Sequence, residues 1–415
     1  MDKLIILLLR AASIGCKFIL LFVIARLLST SDVGIYGLAT SFINIAILFV
    51  GLDYYTFVQR QLSQGKNTSL IITNQMALYL VLYLVSFIFI AVFCGLEYLP
   101  IRYLILLFLI LVIEHINQEV SRHLIYNEKQ KVVSVLLFIR SGFWAILYAA
   151  FLYLTDYKDV ILLFYFWLFG SVLSLLISIS HLNNEIKFKP SLVMKSHIIK
   201  GVTSALPIFF AGISFKLIFF LDRFLLKSIS DDETVGIYVF YITLTMSILG
   251  FLEPLLFSFY YQRLLKFFNQ NKFQQFGLTL KKLIFSTLAM SLVINIGIFF
   301  ISEYVVSITG NEIFIENYSL VNYIYFIVIL YTISLMAHYV LYSINLDKII
   351  FKSHITALLA YTLSFYFLEL MHSSFALELK PIDIVFISMI LSLCWMMLTS
   401  ILPIFLYRKL FCRKD

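Results

Sequence analysis

A chain of 415 residues that is 62% hydrophobic and only 13% charged is no soluble globule, because soluble domains carry about 25% charged residues to meet water. The formal net charge of +8 does not call for nucleic acid. Lys and Arg beside anionic lipid head groups account for it equally well. The composition predicts a polytopic membrane protein.

Twelve apolar stretches, each near the ~20 residues that cross a bilayer as a helix, lie at about 4–27, 34–57, 70–95, 101–121, 132–154, 160–181, 201–226, 235–261, 279–302, 318–344, 350–371 and 383–406. Short alternating strands, the mark of a β-barrel, do not describe them. The first stretch follows only "MDK" and has no A-x-A-like site after it, so it reads as a retained helix rather than a cleaved signal peptide. It carries Lys17 and Arg26, and Arg10 and Lys17 stand seven apart on one face. The second begins near "VGIY" (33–36) and carries Asp53 in its inner part.

The fourth stretch runs into "EHINQEVSRH" (114–123), with His115, Glu119 and His123 at four-residue steps. That spacing is capable of metal binding. Arg122 beside it makes a hydrogen-bonded charge network the better reading, and no metal is expected. The fifth carries Arg140. The polar segment "NNEIKFKPSLVMKSHIIK" (183–200) reads as a cytoplasmic linker, dividing the chain into bundles at 1–182 and 201–415. The seventh stretch carries Lys216 and Arg223 seven residues apart on one face, with Lys227 on that face, Asp222 beside Arg223, and Pro207 and Gly212 as helix breakers. The eighth repeats "VGIY" at 235–238 and carries Glu253 between Gly250 and Pro254, a combination that breaks a helix and frees backbone carbonyls.

The repeat extends beyond four letters. "GLD" (51–53) and "VQRQL" (58–62) follow the first copy, and "GFLE" (250–253) and "YQRLL" (261–265) follow the second. "ARLL" (25–28) and "DRFLL" (222–226) precede them. Six spans per half is an even number, so the halves enter the membrane in the same sense, as parallel repeats about an axis along its normal. Two such bundles around a central cavity are the usual basis of alternating access, which makes a transporter the natural reading.

Orientation follows from the connections. With the N-terminus inside, 22 Lys and Arg residues fall in inside segments and four (Arg102, Lys158, Lys227, Lys380) in outside ones, which puts both termini in the cytoplasm. The four cysteines (Cys16, Cys94, Cys394, Cys412) form no C-x-x-C pair, and no structural disulfide is expected.

Five cations therefore lie within spans: Lys17, Arg26, Arg140, Lys216 and Arg223. Each costs ~2.5–3.5 kcal/mol at mid-bilayer on an insertion scale, so they should face a wet cavity or a partner. Arg10 and Arg26 can also snorkel from helix ends. Asp53, Asp222 and Glu253 read as counter-ions or as ion-coupling groups. No G-x-x-x-x-G-K-[ST] occurs, since Arg60 stands where the "GKN" at 65–67 would need its first Gly. Active transport would then draw on a H+ or Na+ gradient or on consumption of the product, and no cofactor is implied.

"ARLLSTSDVGIYGLATSF" resembles the signature of the multidrug/oligosaccharidyl-lipid/polysaccharide (MOP) flippase superfamily, and "ALPIFFAGIS…LDRFLLKSISDDETVGIY" resembles its counterpart in the second half. "QEVSRHLIYNEKQKVVSVLLFIRSGFW" (118–144) is similar to the helix 4–5 region of O-antigen-unit flippases. Ser29, where many members have Gly, departs from the pattern. The resemblance implies movement of an undecaprenyl-pyrophosphate-linked oligosaccharide from the cytoplasmic to the outer leaflet of a bacterial inner membrane. The unit would then be presented to the polysaccharide polymerase and chain-length machinery, with membrane lipid as the other partner and no nucleic acid. Family pattern places Arg26, Asp222 and Arg223 at the central cavity and Arg140 in a flanking helix. Guanidinium and ammonium groups suit a pyrophosphate head, because charge-assisted hydrogen bonds replace its hydration.

A multidrug exporter of the same superfamily is the first alternative, and predicts an acidic cavity. A membrane polymerase or ligase is the second, although the longest outside connection, 303–317, is short for one. A channel would leave the duplicated charged helices without a task. The orientation is open to test. In a cysteine-free background, Glu233→Cys should react with an impermeant maleimide on intact cells, and Gln270→Cys only after permeabilisation. The opposite pattern inverts the topology.

Overall fold

The computed structural model describes residues 2–65, 67–182, 188–250, 252, 256–375 and 379–411, and every regular element among them is helical. Among the described residues, ten helical segments are long and apolar enough to cross a membrane, or eleven if the two parts of one broken helix count as a span. The seventh expected stretch is that broken helix, and the eighth has no qualifying helix among the described residues. Glu253 and Pro254, the expected breaker in the eighth, lie outside the described residues, as do Lys187 and the tail from Cys412.

Contacts divide the chain into two compact units, Met1–Phe210 and Ala211–Asp415. The border falls inside one helix (α9, Lys195–Ile218), three residues past Pro207, whose missing N–H removes a helical hydrogen bond.

The N-terminal unit contains α1 (Asp2–Leu27), α2 (Thr30–Gly51), α3 (Tyr55–Ser63), α4 (Thr68–Gly95), α5 (Leu104–Tyr126), α6 (Gln130–Phe138), α7 (Trp144–Leu154), α8 (Val160–Ile179) and the first part of α9. A five-residue π turn, Ile139–Phe143, joins α6 to α7 within one span. Ser29 caps α2: its hydroxyl accepts from Asp32 N at 3.2 Å while Asp32 Oδ2 accepts from Ser29 N at 3.3 Å. This reciprocal capping box is why serine serves at the position where the family pattern has glycine. "VGIY" thus occupies the opening turns of α2.

The second stretch is shorter than expected. It stops at Gly51, and Leu52 (φ 46°) and Asp53 (φ 49°) turn left-handed before α3 begins. Asp53 is therefore a turn residue rather than part of a helix, and its carbonyl accepts from Thr56 Oγ1 at 2.9 Å.

Helices in hydrocarbon gain little from burying apolar surface against one another. They associate through close approach of small residues and through interhelical hydrogen bonds. In this unit α8 supplies both. Its Gly170, Ser171, Ser174 and Ser178 are all buried. Asn117 Nδ2 of α5 donates to Ser171 O at 2.8 Å, and Ser174 Oγ donates to Leu136 O of α6 at 3.2 Å. A Cβ on Gly170 would lie 2.7 Å from Trp144 Cδ1 and 2.9 Å from its Cβ. Trp144 in turn stacks on Trp167, with ring centroids 5.8 Å apart and planes at 7°. A Cβ on Gly142 would lie 3.3 Å from Ser13 Cα, so the π turn runs close against α1. The segment before α9 is clamped to α4, because Asn74 Nδ2 donates to Leu192 O at 3.0 Å and Asn74 Oδ1 accepts from Met194 N at 2.7 Å.

The C-terminal unit holds the rest of α9, then α10 (Asp222–Ile229), α11 (Asp232–Leu249), α12 (Ser258–Asn269), α13 (Phe273–Ser307), α14 (Glu312–Glu316), α15 (Val321–Ser343), α16 (Asp347–Phe375) and α17 (Pro381–Phe411). Hydroxyl groups join α16 and α17. Ser353 Oγ lies 2.7 Å from Thr399 Oγ1 and 2.8 Å from Ser400 Oγ, and Ser392 Oγ donates to Ala357 O at 2.8 Å. Asp231 caps α11 by accepting from Thr234 N at 2.9 Å. Hydrogen bonds from Thr234 hold its carboxyl below the usual carboxylate range. The second "VGIY" follows within the first two turns.

Gly170→Val drives a branched side chain into Trp144. Overpacking of this kind costs about 1–3 kcal/mol, so the unfolding temperature of the detergent-purified variant should fall clearly below wild type. An unchanged midpoint would show that Trp144 moves aside freely.

Candidate functional site

The chemistry-bearing side chains of the N-terminal unit are organised by α5. Glu114 is 9% exposed and has partners from two other segments. Arg140 Nη1 approaches its Oε2 at 3.3 Å, while Trp167 Nε1 and Ser171 Oγ donate to Oε1 at 2.8 and 2.6 Å. Two neutral donors and one guanidinium thus satisfy a carboxylate that would otherwise be costly to bury. Arg140 reaches it from the π turn, a feature that often marks functional sites. There Trp144 Nε1 caps the Arg140 carbonyl at 2.8 Å, satisfying an acceptor that the irregular turn would leave open.

Arg140, Glu114 and Lys17 line one cavity of about 170 Å³, with Asn44, Gln118 and Ser141 supplying further polar groups. Lys17 belongs to α1, one turn beyond the point where Ser13 meets Gly142, and its side chain is exposed. Two cations and one anion give the cavity a net positive charge. Its neutral amides and hydroxyl can donate to phosphate or sugar oxygens as well as accept.

A different face of α5 carries the "EHINQEVSRH" network. Glu119 pairs with Arg122 and accepts from Gln75 Nε2 at 2.7 Å, and His115 Nδ1 lies 2.7 Å from the Tyr83 hydroxyl. Arg122 also stands 3.7 Å over the Tyr55 ring. The hydrogen-bonded charge network expected here is what the segment forms.

In the C-terminal unit, Asp222 is fully buried and Arg223 is 7% exposed. Tyr238 of the second "VGIY" donates its hydroxyl to Asp222 Oδ2 at 2.6 Å, and Arg223 N donates to Asp222 Oδ1 at 2.7 Å. Lys216 is exposed in the last turn of α9. The expectation that Lys216, Arg223 and Lys227 share one helix face fails, because α9 ends at Ile218 and α10 begins afresh at Asp222. Residues 219–221 turn the chain, so a seven-residue spacing no longer returns to the same side. Lys227 pairs with Asp232 at 2.7 Å.

The structure therefore brings Lys17 and Arg140 together at one cavity. Arg26 is exposed in the last turn of α1, nine residues from Lys17, or about 13 Å along a helix. Asp53 stands in the α2–α3 turn. The residue that composition and repeat alignment missed is Glu114. Its signal was available, as an ionisable group inside a span one turn before Gln118. Trp167 and Ser171 carried no such signal.

Comparison with known proteins places this geometry. The sequence profile described as polysaccharide biosynthesis protein matches residues 2–260. Among solved structures, the chain is similar to a multidrug resistance MATE family transporter of the MOP superfamily in an inward-facing conformation, with 13% identity, 98% of this chain and 94% of that one covered, and a TM-score of 0.71. It is also similar to a MOP superfamily transporter from Pyrococcus furiosus whose binding pocket is described as reversed in polarity, with 15% identity, 99% and 96% coverage and a TM-score of 0.64. An outward-facing MATE transporter of the superfamily gives 14% identity, 99% and 96% coverage and a TM-score of 0.62. No curated protein matches. Among its described residues the chain is helical, and it has the MATE-like fold of those MOP transporters. It belongs to the polysaccharide biosynthesis protein family.

Tyr238→Phe removes one donor from a buried carboxylate and should lower stability by about 1–3 kcal/mol, read as a lower unfolding midpoint. Adding Asp222→Asn removes the stranded charge and should recover part of that loss. Independent, additive effects would show that the two groups do not interact.

Proposed function

We propose that the chain is a flippase carrying an undecaprenyl-pyrophosphate-linked oligosaccharide from the cytoplasmic to the outer leaflet of a bacterial inner membrane. The observation that carries this reading is the net-cationic cavity formed by Lys17 and Arg140 around Glu114. A pyrophosphate cannot enter hydrocarbon without losing its hydration. Lys17 offers an ammonium donor, and Arg140 offers guanidinium N–H groups beyond the one directed at Glu114. Asn44, Gln118 and Ser141 extend the polar surface toward the sugars. Family membership supports a polysaccharide substrate class. Asp222, held by Tyr238, acts in this reading as a fixed counter-ion for Arg223. A H+ or Na+ gradient, or removal of the flipped unit by the polymerase and chain-length machinery, would supply direction.

The second reading, an exporter of cationic drugs, is favoured by the buried Glu114 carboxylate, which would attract a cation. The two separate on which charge the cavity selects. In a strain lacking its own copy, Lys17→Ala and the paired change Glu114→Gln with Arg140→Gln should each lower surface polysaccharide about tenfold or more, the loss expected from one charge-assisted hydrogen bond. Resistance to cationic drugs should stay unchanged. Normal polysaccharide in both variants at wild-type membrane abundance would refute the flippase reading, and loss of drug resistance instead would favour the exporter.

A further inference from the structure

A second cavity of about 440 Å³ opens between α3, α4 and α5, on a face of α5 distinct from the one bearing Glu114. Its size is that of a small-molecule site. Met76 and Leu80 of α4 form part of its wall and are 41% and 57% exposed. Both belong to the membrane span Thr68–Gly95, so this side of the groove opens into hydrocarbon. Tyr79, Tyr83, Val120 and Tyr126 add rings and apolar carbon, and Gln59, Gln75 and His123 add polar groups. Left empty, such a groove would forfeit the dispersion contacts of its lining. The solvent beside an apolar span is lipid, which can fill it.

One edge of the groove is polar. Arg122 lies against Tyr55 and gives a donor to Glu119, yet a guanidinium has five N–H donors. It is four residues from the end of α5, about 6 Å of helix, which is head-group depth. The same end of the span leads to Lys129 and Lys131, on the side where the charge count places the cytoplasm. The cytoplasmic leaflet carries the anionic lipids.

We infer that this groove is a binding site for an anionic bilayer phospholipid, with an acyl chain along Met76 and Leu80 and the phosphate at Arg122. The phospholipid is preferred over an isoprenyl phosphate because it is always present at that face, so mass action fills the site with it. The site stands independently of the transported substrate.

The test uses the full chain in vesicles of phosphatidylcholine and phosphatidylglycerol that contain no lipid-linked sugar, followed by native mass spectrometry. Wild type should retain one phosphatidylglycerol in preference to phosphatidylcholine. Arg122→Gln should reduce that retention about tenfold, the value of a lost charge-assisted contact. Met76→Trp, which fills the groove from its exposed rim, should abolish it. Equal retention in all three proteins overturns the inference. So does replacement of phosphatidylglycerol by an isoprenyl phosphate added in equal amount. A phosphatidylglycerol bearing an acyl-chain diazirine provides a check on the unsubstituted protein: the peptide containing Met76 and Leu80 should be labelled, and labelling elsewhere alone contradicts the site.

Discussion

The carboxylate of Glu114 is the constraint on which the N-terminal unit depends. A charge this deep is tolerable only with partners, and its partners arrive from separate places in the chain. Arg140 comes from the π turn, and Trp167 and Ser171 come from α8. Satisfying one anion therefore sets the register of α5 against α8 and fixes where the α6–α7 span may deviate from helical geometry. The same arrangement holds the Arg140 guanidinium at the wall of the cavity it shares with Lys17. Buried ion pairs contribute little net stability, yet removing one member costs about 3–5 kcal/mol. The pair is thus better understood as a positioning device than as a source of stability.

The two copies of the duplicated unit have diverged in an informative way. Both "VGIY" segments open helices under a side-chain cap, Ser29 with Asp32 in one and Asp231 with Thr234 in the other. In the second copy Tyr238 donates to Asp222. In the first copy Ala25 occupies the position that aligns with Asp222, so that carboxylate has no counterpart there. Correspondingly Arg26 is exposed while Arg223 is buried. The repeated arginine position is part of a buried cluster in one unit and is accessible in the other.

Much of this fold was legible from hydropathy alone. Long apolar runs such as 70–95 and 318–344 are nearly the helices α4 and α15, because a membrane-spanning helix must be apolar along its length whether it faces lipid or other helices. The breaks were less legible. The left-handed positions after α2 are Leu52 and Asp53 rather than the glycine before them, and Ile218 ends α9 in a sequence that reads as continuous. The candidate site was half visible. Lys17 and Arg140 could be found as charges inside spans, whereas their common cavity depends on the approach of Gly142 to Ser13 and on Glu114 meeting residues 53 and 57 positions away. Such contacts are set by tertiary packing, which no local pattern encodes.

The most direct measurement is transbilayer movement by the purified chain. Proteoliposomes loaded with an undecaprenyl-pyrophosphate-linked oligosaccharide would be assayed with an impermeant reagent that modifies only sugars exposed on one face. The account predicts that wild type equilibrates the lipid across the bilayer, that Lys17→Ala slows equilibration about tenfold, and that neither protein changes the leakage of a trapped soluble sugar. Equilibration at the same rate with and without Lys17, or none above protein-free vesicles, would contradict it.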